Sequence, residues 1–455
     1  MRSLAWLAAV LGLAASLAAA CSDDKKPDWE NDTDTDTDTG SETDTDTDTE
    51  TDTDTGEDET PPALPASCQA VTVNTFVSGD GDGAIPALAL SEGGLVAWGY
   101  DPQEDGADAQ WRIQIAAYDP GTGPGATADP MSDTVIARKP SAAHRDGAYG
   151  VSWLDSRWDG TCSSEDQESC AMDIAFMTFD ATGVPTNTIP LRVTNSGSPE
   201  TGPLLEPTAD GWLVAWGVSA AGETLTAWAV PLDPTGNPGT AVQVSGEGVI
   251  DDDSGLDLAV SGDTAVLVWA DEDQHEILAA ALNLDGTAKG DPVPIDSGDL
   301  MITPTVAGKD DGFMVAFSKR PNDDFEIYTM PLEADGTPAD GAEPARASWT
   351  TSNAMSSKLA WSGTTWGMAW LSNRNNGEAD CLEDGCESQV LFCELDEGGA
   401  PATRSVVLST DPNPSFDEDL AWDGSGWTAA WALRQNMRDQ IVYGRATCAD
   451  KKSAH

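Results

Sequence analysis

The stretch Gly211–Trp216 reads GWLVAW, with Trp212, Val214 and Trp216 on one face of an extended chain and Leu213 and Ala215 on the other. Both faces are apolar, so a strand of this sequence has to be covered on both sides. The phrase recurs as GGLVAW ending at Trp98, GAYGVSW at Trp153 and DTAVLVW at Trp269. It returns as GFMVAF at Phe317, TWGMAW at Trp370 and GWTAAW at Trp431. Successive anchors stand 55, 63, 53, 48, 53 and 61 residues apart, one supersecondary unit each.

Working outward from each anchor, a first extended segment starts thirteen residues earlier (twelve in the first copy), at Pro86, Pro140, Pro203, Leu256, Pro304, Ser357 and Glu418. After the anchor comes a variable loop, then a third run such as RIQIAAYDPGTG, DIAFMTFDATG, EILAAALNLDG or QVLFCELDEGG. An Asp-led turn follows, at Asp119, Asp180, Asp233, Asp285, Asp335 and Asp396, and then a short fourth run such as LRVT, VQVS, VPID or VVLS. Four strands per repeat, with the second apolar on both faces, call for a sheet stacked between two like sheets. A closed ring of such sheets leaves no exposed end, which is a β-propeller. The anchor ring fills the gap between blades, and the small residue before it lets the next blade approach.

The seventh copy has three strands and stops near Ala446–Cys448, while a spare run, VTVNTFVS at Val71–Ser78, precedes the first copy. That spare strand is expected to complete the seventh blade. Cys68 and Cys448 flank the seam and are expected to form a disulfide across it. The long loops after the anchors share one face with the blade-to-blade connections, so that face is the expected contact surface.

The chain of 455 residues carries 22 Lys and Arg against 79 Asp and Glu, a formal charge of −57. That balance excludes gripping nucleic acid through clustered cations and disfavours an anionic lipid surface. Residues 1–20 have the positive start, apolar run and small-residue end of a secretory signal peptide. LAAAC, ending at Cys21, resembles the lipobox of bacterial lipoproteins, although Ala18 stands where Leu is usual. The resemblance implies lipidation of Cys21, and Ser22 after it implies outer-membrane display. Cleavage at Ala-x-Ala that leaves a plain thiol is the alternative. Residues 21–66 form an Asp-Thr tether that self-repulsion should keep extended, residues 67–450 the seven-bladed propeller, and 451–455 a short tail.

Beyond Cys21 there are seven cysteines, an odd number for an oxidising compartment. Cys162 with Cys170, and Cys381 with Cys386, are expected to pin two long loops, which leaves Cys393 buried in a strand; a zinc site of Cys381, Cys386 and Cys393 is the alternative. Calcium, the one cofactor suggested, would sit on acid clusters including Asp80 and Asp82, and Asp251 with Asp253, none of them spaced as an EF-hand. Arg157, Arg320, Arg374 and Arg434 stand three or four residues past their anchors. They read either as a guanidinium ring for an anionic ligand or as partners of nearby acids such as Asp155. G-x-S-x-G, HExxH and Walker patterns are absent, and so is the Asp-box of sialidases. The repeat resembles those of secreted bacterial propeller proteins through W-x-D-x-R at Trp153–Arg157 and the strand EIYTM with Ile327 and Tyr328. That resemblance covers most of residues 70–450 and implies fold and export. The expectation is a membrane-tethered, non-enzymatic scaffold for a protein or glycan ligand. A hydrolase or lyase acting on acidic glycans, and a calcium-dependent adhesion element, are the alternatives.

Overall fold

A computed structural model describes residues 63–64, 68–76, 82–102, 111–130, 136–159, 162, 171–219, 224–246, 250–251, 255–271, 274–321, 324–349, 353–373, 388–411, 413–435 and 438–448. The expectations for Cys21 and the tether, and those for Cys170, Cys381, Cys386, Arg374, Asp80 and Asp253, lie outside these residues.

All regular structure among the described residues is β. Strand β1 is Cys68–Phe76, and the first blade is β2 (Asp82–Leu90), β3 (Gly94–Asp101), β4 (Arg112–Asp119) and β5 (Gly123–Ala128). The second is β6 (Ala137–Arg145), β7 (Ala148–Asp155), β8 (Asp173–Phe179) and β9 (Leu191–Arg192). The third is β10 (Leu204–Thr208), β11 (Gly211–Ser219), β12 (Thr224–Leu232) and β13 (Val242–Gln243), with β14 (Ile250–Asp251) also on β12. The fourth is β15 (Leu256–Ser261), β16 (Thr264–Asp271), β17 (Glu276–Asn283) and β18 (Val293–Ser297). The fifth is β19 (Leu300–Lys309), β20 (Gly312–Arg320), β21 (Glu326–Glu333) and β22 (Ala345–Arg346). The sixth is β23 (Ala354–Trp361), β24 (Trp366–Ser372), β25 (Gln389–Leu395) and β26 (Val406–Val407). The seventh is β27 (Ser415–Trp422), β28 (Trp427–Gln435) and β29 (Arg438–Cys448), with β1 as its outer strand.

The ring therefore has seven blades, closed by the N-terminal strand. The latch strand runs Cys68–Phe76, three residues earlier at its start than the sequence suggested, and pairs Cys68 with Cys448, Gln69 with Thr447 and Ala70 with Ala446. Cys68 and Cys448 are joined by a disulfide that spans 380 residues.

The core is seven apolar clusters, one to each junction, each drawing on neighbouring blades. Trp431 of blade seven packs with Ala369, Val390 and Phe392 of blade six. Trp98 of blade one packs with Ala430, Ala432 and Ile441 of blade seven, which closes the circle. All seven anchors are at most 3% exposed, so their number in the sequence reflects filling between sheets. The approach is close enough that a Cβ on Gly367 would stand 2.6 Å from the Trp427 ring.

Two small polar devices repeat. The Asp turns before the fourth strands are built by side-chain acceptance. Asp180 Oδ1 receives the Thr182 hydroxyl at 2.7 Å, the Thr182 N–H at 2.9 Å and the Val184 N–H at 3.1 Å. Thr194, Ser245, Ser348 and Ser409, in or just after the fourth runs, accept N–H groups of the third strands at Ile174, Ala227, Ile327 and Val390.

One expectation is corrected. Pro86, Pro140, Pro304, Ser357 and Glu418 do not start their strands but sit at a β-bulge inside them, where pairing to the second strand shifts register. The residue just before each has positive φ: Ile85, Lys139, Thr303, Ser356 and Asp417, at 46° to 54°. A bulged residue leaves the ladder, so proline's missing N–H is tolerated there.

Candidate functional site: the axial channel and the long-loop face

The innermost strand of each blade pairs on one side only, and its other edge faces the axis. Unpaired edge amides need acceptors. The first-strand residues opposite the position before each anchor are Ala87, Ser141, Leu204, Asp257, Thr305, Lys358 and Asp419. Three of them serve the next blade. Ser141 Oγ accepts the Leu205 N–H at 3.0 Å, and Asp419 Oδ2 accepts the Leu88 N–H at 2.7 Å. Asp257 Oδ2 accepts the Val306 N–H at 2.9 Å and the Thr305 hydroxyl at 2.6 Å. The axial acids are thus stitches between innermost strands.

Charges from four blades converge on this axis. Burial disfavours the Lys358 ammonium, but Asp257, Asp419, Glu418 and Asp417 hold its pKa above the ordinary lysine range. Burial, reinforced by Asp257 and Asp419, drives the Glu206 carboxyl well above its ordinary range. Nearer the mouth, burial pushes Asp417 up to about 6, with Asp439 adding to the effect and Lys139 and Lys358 opposing it. Glu418 is pushed up to about 8 by burial, against its own backbone N–H, Lys358 and Ser356. The channel therefore holds a carboxyl of raised pKa, Glu418, beside Asp257 and Asp419, whose side-chain oxygens accept backbone N–H groups.

Two of the loop arginines, Arg157 and Arg434, pair with nearby acids. Arg157 Nε donates to Asp155 Oδ1 at 2.9 Å, while the Trp153 indole N–H donates to Asp155 Oδ2 at 2.8 Å. That is the structural content of W-x-D-x-R: the buried Asp satisfies the anchor's N–H and takes the Arg. Arg434 makes two contacts to Asp439, at 3.0 and 3.3 Å, and Arg320 lies 5.4 Å from the Phe325 ring centroid. Lys319 stands between Asp296 and Asp299 at 2.9 and 3.4 Å. Each of these cations is engaged within or beside its own blade.

Cys162 is disulfide-bonded, and Cys393 is free and buried in β25. Asp82 opens β2 and accepts the Asp439 N–H at 3.2 Å, and burial raises its pKa. Asp251 lies in β14. Among the described residues, the one trio of donor side chains close enough for a single ion is Cys68, Glu394 and Cys448, whose two sulfurs are bonded to each other. Also among them, no helix is long and apolar enough to cross a membrane.

Sequence reasoning missed Lys358, Glu206 and Ser141. The available signal was a charged or hydroxyl residue recurring at one column of an otherwise apolar strand, at Ser141, Asp257, Thr305, Lys358 and Asp419.

What these features define is a disulfide-latched seven-bladed propeller with a charged axis. No protein-family model matches the chain, and a search of curated proteins finds no significant relative. Among solved structures it is similar to a Trypanosoma rangeli sialidase, at 11% identity and TM-score 0.42, over 84% of this chain and 59% of that one. It is also similar to a Dyadobacter fermentans protein of unknown function, at 9% identity and TM-score 0.48, over 69% of this chain and 95% of that one. A third is a GH43_1 enzyme from Xanthomonas citri, at 14% identity and TM-score 0.31, over 59% of this chain and 93% of that one. The chain thus spans about 59% of the sialidase's length, and none of these likenesses bears on activity.

Proposed function

We propose that the chain is an exported, lipid-anchored protein of the bacterial envelope, in which Cys21 and the Asp-Thr tether display the propeller as a non-enzymatic binding scaffold. The observation that carries this reading is the Cys68–Cys448 disulfide. Disulfides persist in oxidising compartments, which agrees with an export signal. This one also sits where the tether joins the ring, so a pull on the tether meets a covalent closure rather than a strand edge. The partner-facing surface in this reading is the long-loop face with the acidic mouth of the channel. Two measurements test it. Cys21→Ala is expected to move the protein from the membrane to the soluble fraction; unchanged membrane association defeats the anchor. Cross-linked partners from envelope extracts are expected to be lost on substituting long-loop residues, and retention of every partner defeats the assigned face.

A second reading rests on a specific pairing. Glu418, a carboxyl of raised pKa, and the hydrogen-bonded Asp419 lie in one channel, and glycoside cleavage uses an acid and a carboxylate in this way. Turnover of a glycan panel that vanishes in Glu418→Gln supports this enzyme; no turnover on any glycan removes it.

A further inference from the structure

A cavity of about 270 Å³ opens at the outer side of the junction between blades five and six, away from the axis. Its walls come from the segment after β22, from β24 and β25, and from the segment before β26. Leu64, from the end of the tether, stands among those wall residues. Trp349 and Pro401 are half-buried there, and the Arg346 guanidinium lies 4.3 Å from the Trp349 ring centroid. Drug-sized ligands fill pockets of about 300–1000 Å³, so this volume suits one or two side chains of a peptide.

The chain passes this cavity on its way to the latch strand. Arg404, an exposed side chain, donates its Nε–H to the Leu64 carbonyl at 2.9 Å. Four residues further on, Cys68 Sγ lies 3.4 Å from the Thr403 hydroxyl oxygen. Thr403 and Arg404 are neighbours in the cavity wall, so Leu64 and Cys68 are both held beside it. The sequence changes character at this point. Residues 41–59 read SETDTDTDTETDTDTGEDE, whereas residues 60–67 read TPPALPAS, with three prolines and no charge. Residues 61–455 carry 61 acids against 19 bases, a balance that repels the first stretch and not the second. Closely spaced prolines pre-set a polyproline II path, which leaves little conformational entropy to lose, and aromatic-lined grooves take such segments.

We propose that this cavity is the seat of the chain's own residues 61–65, docked as a polyproline II strap with Leu64 at the edge and a proline ring against Trp349. The tether then leaves the ring beside blades five and six, and a pull on it reaches this strap before it reaches β1. The seat stands whether or not Cys21 carries lipid or the long-loop face takes a partner.

The test is limited digestion of the full chain with elastase, which cuts after alanine and can free the tether at Ala66. Trp349→Ala and Arg404→Ala are each expected to speed that cut several-fold at an unchanged urea midpoint. An unchanged rate in both variants overturns the proposal. A second measurement titrates the free peptide TPPALPAS onto the full chain carrying Pro61→Ser, Pro62→Ser, Leu64→Ser and Pro65→Ser, followed by tryptophan fluorescence. Saturable binding is expected there. Much weaker binding is expected to the parent, whose own segment competes at the high effective concentration that a short linkage gives. No binding to the substituted chain overturns the proposal. Equal binding to both chains overturns it in favour of a partner's proline-rich segment as occupant. Protection of Ala66 that rises with protein concentration overturns it in favour of a second copy's segment.

Discussion

At the scale of single residues, the same side-chain type takes opposite roles according to what surrounds it. Asp180, Asp233, Asp285 and Asp335 sit in solvent at turns, and the hydroxyl and N–H groups they gather hold their pKa below the ordinary carboxylate range. Their contribution to stability is whole above that range and is lost as pH falls through the depressed folded value. Asp417 and Glu418 run the other way. Burial makes the folded chain bind their protons more tightly than the unfolded chain does, so what they contribute is present at low pH and is lost as pH rises through about 6 and about 8. The urea midpoint is therefore expected to decline as pH rises from about 4.5 to about 8, and Glu418→Gln to flatten that decline. An unchanged slope in the variant contradicts the assignment. Asp155 is buried and holds both the Trp153 N–H and Arg157, so Asp155→Ala is expected to cost about 3–5 kcal/mol in chemical denaturation.

At the scale of the element, the innermost strand has an unpaired edge that it resolves with side chains rather than with another strand. Asp419→Ala strands the Leu88 amide and is expected to destabilise by about 1–3 kcal/mol, measured by urea melts. Asp419→Asn keeps an acceptor and is expected to retain most of that stability. Second strands contribute through their anchors: Trp431→Ala opens the junction of blades six and seven and is expected to cost about 3–5 kcal/mol. The bulge is the element that pattern reading placed wrongly. A proline inside a strand reads as its beginning, because only the ladder geometry reveals that Pro86, Pro140 and Pro304 stand where pairing slips.

For the whole molecule, closure is the property on which the others depend. Each blade is apolar on both faces, and the ring covers them by packing blade one on blade seven, while β1 on β29 ties the two ends of the chain together. Cys448→Ser is expected to lower stability by about 2–4 kcal/mol, and non-reducing limited proteolysis is expected to release the N-terminal strand first. A variant as resistant as the parent shows that strand pairing alone holds the seam.

How much of this was legible follows from range. Periodicity two, an aromatic at a fixed column and an Asp-led turn are local signals, and they determined the strands, the seven blades and the displaced partner of β29. The Cys68–Cys448 bridge was also readable, because ring closure requires the two ends to meet. The axial channel was not. Lys358, Glu206, Asp257 and Asp419 are spread over more than 200 residues, and each in its own strand looks like an isolated charge. The pairing of Arg157 with Asp155 was likewise one of two open readings. Only the ring brings those charges to one axis, since electrostatic coupling and desolvation depend on distance through space.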